Sequence, residues 1–559
     1  MAAMQVPANA NAIEDVFFKP TKTVDIPTQD ILSWIFDSPR YPQDQAIYVD
    51  PEDPTNSINI QQARNLTRRL IAGFRSTSLQ TGDCICVHSF NNLYYSCVFL
   101  AVVGAGFVWA GTNPGYTDFE LQHHLRTARA KLVLAEPELY DSIRPAANRV
   151  GIPDNNIFIF DWSNRRSVPE APPRSWATLL RCGEQDWVRF NDEAVAKSTT
   201  ACRLFSSGTT GLPKAAALSH YNLVAQHTLL QEQVQKPYQV KRILCLPFFH
   251  AAMVPIGHIT PLRSGHVSYV MRRFHLEDFL RYTEKFEVTE LFVVPPIVVS
   301  ILQSPLIRRY SLRSLRCGMT GGAKIDLLSQ QAFTALMHPD GSLNPCYGMT
   351  EISCIGACYQ WPDQDLDGSV GHFLPNLEIR LVNDNDEDIR SYNQNGEICI
   401  RGPTVIEGYF DNPAANASSF LQGWFRTGDI AYCDSKSKKW YIVDRKKELI
   451  KVRGFQVAPP ELEAVLMSHP NILDAAVIGI PAPSTIDGEV PRAYIVPRNP
   501  AAMDRSGIQR YVSERLAKYK QLSGGIVFVE SLPKTASGKY LKRHLRDLWK
   551  RESQTAPKL

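Results

Sequence analysis

The 559-residue chain has no phosphate loop closed by Gly-Lys-Ser/Thr, which excludes an ordinary P-loop NTPase. It has no Gly-x-Ser-x-Gly elbow, so a serine acyl-enzyme is not expected. None of the twelve cysteines forms a Cys-x-x-Cys pair, which argues against a zinc site. Cys84 and Cys86 stand at strand spacing, Cys354 and Cys358 at helical spacing. A strong charge of either sign is also missing. Sixty basic side chains face 56 acidic ones, a net +4, so nothing calls for nucleic acid as a partner. The basic cluster at 542–551 reads as a solvated helix end. The opening MAAMQVPANANAIEDV has no basic region leading into an apolar run, so no secretory leader is expected. Reduced thiols in an intracellular compartment are the expectation. Internal repeats and low-complexity segments are absent.

Long apolar runs are scarce. Residues 94–112 alone approach the length of a membrane span. They hold three Gly and a Ser, lack a positive flank, and run into Asn113-Pro114-Gly115. A buried helix turning into a buried parallel strand fits better than a span. The 44% hydrophobic and 21% charged content is that of a soluble globular protein, and the length calls for two or three domains.

Helical and strand patterns alternate. Residues 65–76 and 120–128 read as helices; 84–89, 131–135, 243–246 and 290–294 read as strands. This βαβ rhythm predicts an α/β fold with parallel sheets covered by helices. Near residue 377 the character changes. Short strands at 378–382, 397–401 and 440–444 suggest a small β subdomain. Beyond 444 a compact α+β unit is expected: helix 460–467, strands 474–480 and 492–496, helix 505–516, strand 526–528 and a final helix 540–550.

The densest chemistry is FSSGTTGLPK at 205–214. Small hydroxyls and glycines let backbone N–H groups close around phosphate oxygens, and a lysine adds charge. Strand-like runs flank it at 202–205 and 215–218. Further on come YGMTE (347–351), GEICIRG (396–402), TGD (427–429), DRKKELIKVRGFQVAPPELE (444–463) and PKTASGK (533–539).

In this order, over about residues 30–545, these motifs resemble the adenylate-forming superfamily of acyl-CoA synthetases, 4-coumarate–CoA ligases, luciferases and peptide-synthetase adenylation domains. The resemblance implies an N-terminal AMP-binding domain (1–443), a hinge (444–447) and a small mobile C-terminal lid domain (448–559). It implies ATP, Mg2+ and coenzyme A as cofactors. A carboxylate would attack the α-phosphorus of ATP, release pyrophosphate, and pass its acyl group to the coenzyme A thiol. Charge gathers on phosphoryl oxygens in such a step, so positioned cations matter more than a nucleophilic side chain.

The resemblance also assigns roles. Ser206, Ser207, Gly208, Thr209, Thr210, Gly211 and Lys214 would cradle phosphates, although Ala215 replaces the usual Gly. Glu351 would hold magnesium, Thr350 would donate to the α-phosphate, and Tyr347 would stack on adenine. Gly322 and Ala323 would admit adenine and the acyl group. Asp429, with Arg445, would take the ribose hydroxyls. Lys539 would be the catalytic lysine, touching carboxylate and α-phosphate together. Lys447 would be the hinge residue, Lys451 and Gln456 would approach the adenylate, and Gly454 would line the thiol tunnel. His250 would gate the acyl site, with His258 and His266 structural, and Arg273 would stand near the coenzyme A phosphates. Lys324 and Pro345-Cys346 depart from the family pattern (Pro and Gln-Gly), which points to an acid unlike coumarate.

An aryl, cinnamoyl-like or medium-chain fatty acid is the expected substrate, with a role in secondary metabolism. The alternatives are an adenylation enzyme loading a carrier protein, a luciferase-like oxidase, and a non-catalytic adenylate-binding protein. The last would be marked by loss of Lys539, Glu351 or Asp429, and all three are present. No acid occurs in PFFHAAM (247–253), so an α-amino acid is not expected. The terminal Pro557-Lys558-Leu559 resembles the Ser-Lys-Leu peroxisomal address, so peroxisome or cytoplasm is the expected compartment.

Overall fold

A computed structural model describes residues 17–20, 22–162, 174–206, 213–446, 448–452, 455–482, 488–499, 504–516, 518–535, 538 and 540–555. Two seven-stranded sheets form the larger part. The first runs, edge to edge, through Arg174–Ser175, Ile157–Ile159, Ala130–Ala135, Cys84–His88, Val108–Gly111, Thr200–Ser206 and Lys214–Ser219. All neighbours are parallel except the last pair, which is antiparallel. The second runs through Ser342–Pro345, Cys317–Thr320, Glu290–Val293, Lys241–Leu244, Val267–Val270, Ala46–Val49 and Ser57–Asn59. It too is parallel but for its last pair.

Parallel strands buried on both faces need apolar side chains throughout, and Cys84–His88 and Val108–Gly111 are buried at every position. The apolar run at 94–112 is a fully buried helix, Tyr95–Gly104, followed by the strand Val108–Gly111. Among the described residues no helix is long and apolar enough to cross a membrane. The helix expected at 65–76 begins earlier, at Ile60, and ends at Arg75. Asn59 and Gln62 form a reciprocal capping box there, which satisfies first-turn N–H groups and adds a turn.

The β subdomain is antiparallel, with Glu378–Val382, Gly396–Arg401, Trp424–Cys433 and Phe420–Leu421 in order and Trp440–Arg445 on Trp424–Cys433. Cys354 and Cys358 lie on a strand, Cys354–Cys358, rather than a helix. A spacing of four puts two residues on one face of either element, and pairing with Tyr347–Met349 decides for the strand.

The main hydrophobic core spans Phe18 to Trp440, and a separate core begins at Ile450 and ends at Ile526. The second core covers a hairpin, Ile450–Val452 with Phe455–Val457, and a sheet of Ile472–Pro481, Glu489–Pro497 and Ile526–Phe528. The final helix begins at Lys542. Its cluster of cations is only partly solvated: Arg543, Lys550 and Arg551 are exposed as expected, whereas Lys542 Nζ stands 3.0 Å from Glu463 and Arg546 2.6 Å from Glu448.

One ion cluster is buried in the larger part. Glu290 accepts Arg242 Nη2 at 2.5 Å and Nε at 3.1 Å, and also accepts Lys236. Burial alone would raise the Glu290 carboxyl; Arg242 and then Lys236 outweigh it and hold it well below the usual carboxylate range. Glu290→Ala is expected to lower unfolding free energy by about 3–5 kcal/mol, because it strands a buried guanidinium. Urea titration at neutral pH measures this, and an unchanged midpoint would refute it. A depressed carboxyl stabilises the fold above its unfolded value and loses that contribution as pH falls through its folded value. The gap between wild type and variant should therefore close only in strong acid.

Candidate active site

A cavity of about 790 Å³ lies where the larger part, the β subdomain and the C-terminal part meet. The phosphate-loop candidate is bracketed by an antiparallel pair, with Ser206 in register opposite Lys214. Both line the cavity. Ser207, Gly208, Thr209, Thr210 and Gly211 lie outside the described residues, as do Lys447, Gly454, Lys539 and the terminal tripeptide.

Lys214 Nζ sits 4.9 Å from the ring centroid of Tyr409, and the Tyr409 hydroxyl donates to Glu351 Oε1 at 2.7 Å. Burial, then the Glu351 charge, pushes the Tyr409 phenol up, so it stays a donor. Glu351 is itself buried, on the turn Thr350–Ile352 after the strand Tyr347–Met349. A Cβ at Gly348 would fall 1.8 Å from the Cys354 carbonyl oxygen, so only glycine fits there. Ser353 and Cys354 both adopt positive φ, 62° and 122°, backbone strain of the kind that gathers at functional sites. Thr350 and Glu351 face the cavity. Among the described residues no three His, Cys, Asp or Glu cluster as a metal cage. One carboxylate suits Mg2+, which takes its other ligands from phosphates and water.

Asp429 and Arg445 face each other across paired strands, with Arg445 Nε 3.3 Å from Asp429 Oδ1. Asp429 Oδ2 accepts the Tyr347 hydroxyl at 2.8 Å. Arg445 lines the cavity, whereas Asp429 and Tyr347 are buried against one another beside it. Lys446 pairs with Glu397 at 3.2 Å and Asp384 at 3.1 Å, and its N–H donates to the Gly428 carbonyl. Two residues later Glu448 is tied to Arg546. The chain is thus anchored to different bodies on either side of residue 447.

His250 lines the cavity, and its Nδ1 accepts the Ala252 N–H at 3.2 Å. That bond leaves the proton of the neutral ring on Nε2. His258 is buried between Ser96 Oγ and the Phe248 carbonyl, each at 3.0 Å, and burial pushes it down to about 3. His266 is half-buried, and burial pushes its ring down as well. Gly322 lines the cavity and Ala323 is exposed beside it. Arg273 stands apart, its guanidinium 4.2 Å from the Phe90 ring.

From the C-terminal part, Lys534, Thr535 and Leu541 reach the same cavity. Lys451 and Gln456 are directly opposite one another in the hairpin register. Among the described residues five cations and three carboxylates line the walls. The same walls carry the apolar side chains of Phe249, Phe292, Val294, Cys346, Cys354 and Ile355.

Residues 37–410 match the AMP-binding enzyme family, and residues 461–539 match the AMP-binding enzyme C-terminal domain. The chain belongs to the AMP-binding enzyme family. Its relatives within that family include a phenylacetyl-CoA ligase of Aspergillus niger, 46% identical over 535 residues, covering 95% of this chain and 99% of that protein. An acyl-CoA ligase from the same species is also 46% identical, over 533 residues, covering 95% and 100%. Among solved structures, ATP-bound MatB from Rhodopseudomonas palustris superposes with a TM-score of 0.82 at 24% identity, covering 93% of this chain and 99% of that one. The apo form of MatB superposes less well, at 0.72. Tyr409 and the Arg426–Glu397–Lys446 network escaped the sequence reading. Tyr409 sits in an ordinary turn sequence, and only the fold sets it against Glu351.

Proposed function

We propose that this AMP-binding enzyme is an ATP-dependent acid–CoA ligase acting on a hydrophobic, uncharged acid of the arylacetic class. One observation carries the reading: a single cavity is lined by cations, by Thr350 and Glu351, and by the apolar side chains of Phe249, Phe292, Val294, Cys346, Cys354 and Ile355, with Lys534 and Thr535 of PKTASGK on its wall. Lys214, Thr350 and Arg445 bind and orient the nucleotide, and Glu351 would hold Mg2+. The apolar side chains would pack on an uncharged acyl group, against which a second carboxylate or an ammonium would be buried at a cost of several kcal/mol. The relative named for phenylacetyl-CoA points the same way. Cinnamoyl-like and medium-chain fatty acids share the apolar character, and a biosynthetic role in secondary metabolism belongs to the same proposal.

The carboxylate oxygen attacks the α-phosphorus, the bond to pyrophosphate breaks, and Lys539 neutralises charge where the two meet. Rotation about Lys447 then withdraws Lys539 and brings Lys451, Gly454 and Gln456 up as the coenzyme A sulfur attacks the acyl carbon and AMP leaves.

The test is pyrophosphate release with MgATP, coenzyme A and a panel of acids, with products read by mass. Arylacetyl-CoA is the expected product. Release without acyl-CoA would move the acceptor to a carrier protein, and silence across the panel would overturn the ligase. A Cβ at Gly321 would fall 2.7 Å from Cys346 Sγ. Gly321→Ala should therefore raise the KM of the acid about tenfold and leave that of ATP unmoved; steady-state kinetics with each substrate varied would show it.

A further inference from the structure

The two ends of the PKTASGK region pair with one another. Lys534 and Tyr540 form an antiparallel bridge, the Leu541 N–H donates to the Pro533 carbonyl at 2.8 Å, and the Gly538 N–H donates to the Thr535 carbonyl at 2.9 Å. One carboxylate grips both legs of this hairpin. Asp474 Oδ2 accepts Lys534 Nζ at 2.6 Å, and Oδ1 accepts the Tyr540 hydroxyl at 2.6 Å and the Ala475 N–H at 3.1 Å. Asp474 lies on Ile472–Pro481, where the pairing with Glu489–Pro497 slips by one residue. Such an irregularity re-aims a side chain out of the regular alternation. The Asp474 carboxylate is only 20% exposed, so its hydrogen bonds are little screened. Burial and the Asp474 charge push the Tyr540 phenol up, which keeps it a donor.

Lys539 immediately precedes Tyr540 in the chain. Lys534, Thr535 and Leu541, on either side of it, all face the cavity. We infer that Asp474 is a positioning residue for adenylate formation, clamping both legs of the hairpin so that Lys539 is delivered to the cavity. The inference rests on the ligase reading above. It reaches further in predicting that a carboxylate some 65 residues before the catalytic lysine controls one half-reaction and not the other. When the C-terminal part rotates for thioester formation, the hairpin leaves the cavity and the clamp has nothing to position.

The experiment separates the half-reactions in the full-length enzyme. Acid-dependent ATP–pyrophosphate exchange reads adenylate formation; synthetic arylacetyl-adenylate plus coenzyme A reads thioester formation. Asp474→Ala should lower exchange about 10- to 100-fold, with the KM of ATP and the thioester step unchanged. Tyr540→Phe, which removes one bond of the clamp, should lower exchange by less, and Asp474→Glu should recover part of the loss. A merely structural role would lower both half-reactions together, and that result overturns the inference, as does undiminished exchange in Asp474→Ala. If Asp474→Ala fails to fold, Tyr540→Phe decides: a selective fall in exchange supports the clamp, and equal or absent losses refute it. Absence of exchange in the wild type with every acid would instead bring down the ligase reading itself.

Discussion

Lys539→Ala is expected to cut acid-dependent pyrophosphate release about 100-fold, on the order of 3 kcal/mol of transition-state stabilisation, while ATP still binds. The ammonium contributes only where carboxylate and α-phosphate meet, so its loss should fall on kcat and not on KM. Thioester formation from preformed acyl-adenylate should survive. A second variant reaches the same end without touching the ammonium. Gly538 has φ +79°, and a Cβ there would lie 2.5 Å from Cγ of Pro296. Gly538→Val should strain the backbone and push the loop off Pro296 of the larger part. Adenylate formation should fall as it does in Lys539→Ala, with the thioester step again spared. Single-turnover measurement of both steps would check the pair. A loss confined to the thioester step in either variant would place Lys539 in the other half-reaction.

Asp429→Ala is expected to raise the KM of ATP about 100-fold, the worth of two hydrogen bonds to a carboxylate at the low end of their range, about 3 kcal/mol together. The carboxylate carries about four acceptor sites. In this structure it receives the Tyr347 hydroxyl and Arg445. The alanine variant also removes the Asp429 partner of Arg445, at a modest cost to stability of about 1 kcal/mol, because that guanidinium is 36% exposed. Asp429→Asn separates the effects. It keeps the shape and an acceptor for Tyr347, so melting temperature should move little while ATP affinity still drops. The KM of the acid should hold in both variants, and a KM for ATP that stays put would remove Asp429 from the nucleotide site.

Much of the architecture was legible because its signals are local. The strand at 378–382 falls on the residues expected, since alternation on a half-buried sheet shows in five residues. The apolar run at 94–112 could be divided into helix and strand because Gly104 and Gly106 sit at the turn between them. Errors arose where a local pattern is ambiguous or a distant partner decides. The four-residue spacing of Cys354 and Cys358 fits helix and strand alike. Lys542 reads as solvated until the fold sets Glu463 against it, and Tyr540 reads as helical until it pairs with Lys534. The site divides in the same way. Residues within dense motifs, such as Lys214, Thr350, Glu351 and Arg445, are brought to one cavity. Tyr409 and Asp474 lie in stretches with no such signature, and their meaning comes from hydrogen-bonded partners supplied by the fold.

The cysteines carry a practical consequence. Eleven of the twelve are buried, and Cys182 alone is exposed. Burial pushes each of the eleven thiols up, and a buried, protonated thiol is a poor nucleophile. The native protein therefore presents one handle to a maleimide dye, fixed on the larger body. A single cysteine added to an exposed face of the smaller body would complete a donor–acceptor pair with no native residue removed, so the rotation proposed between half-reactions could be tested by energy transfer during turnover.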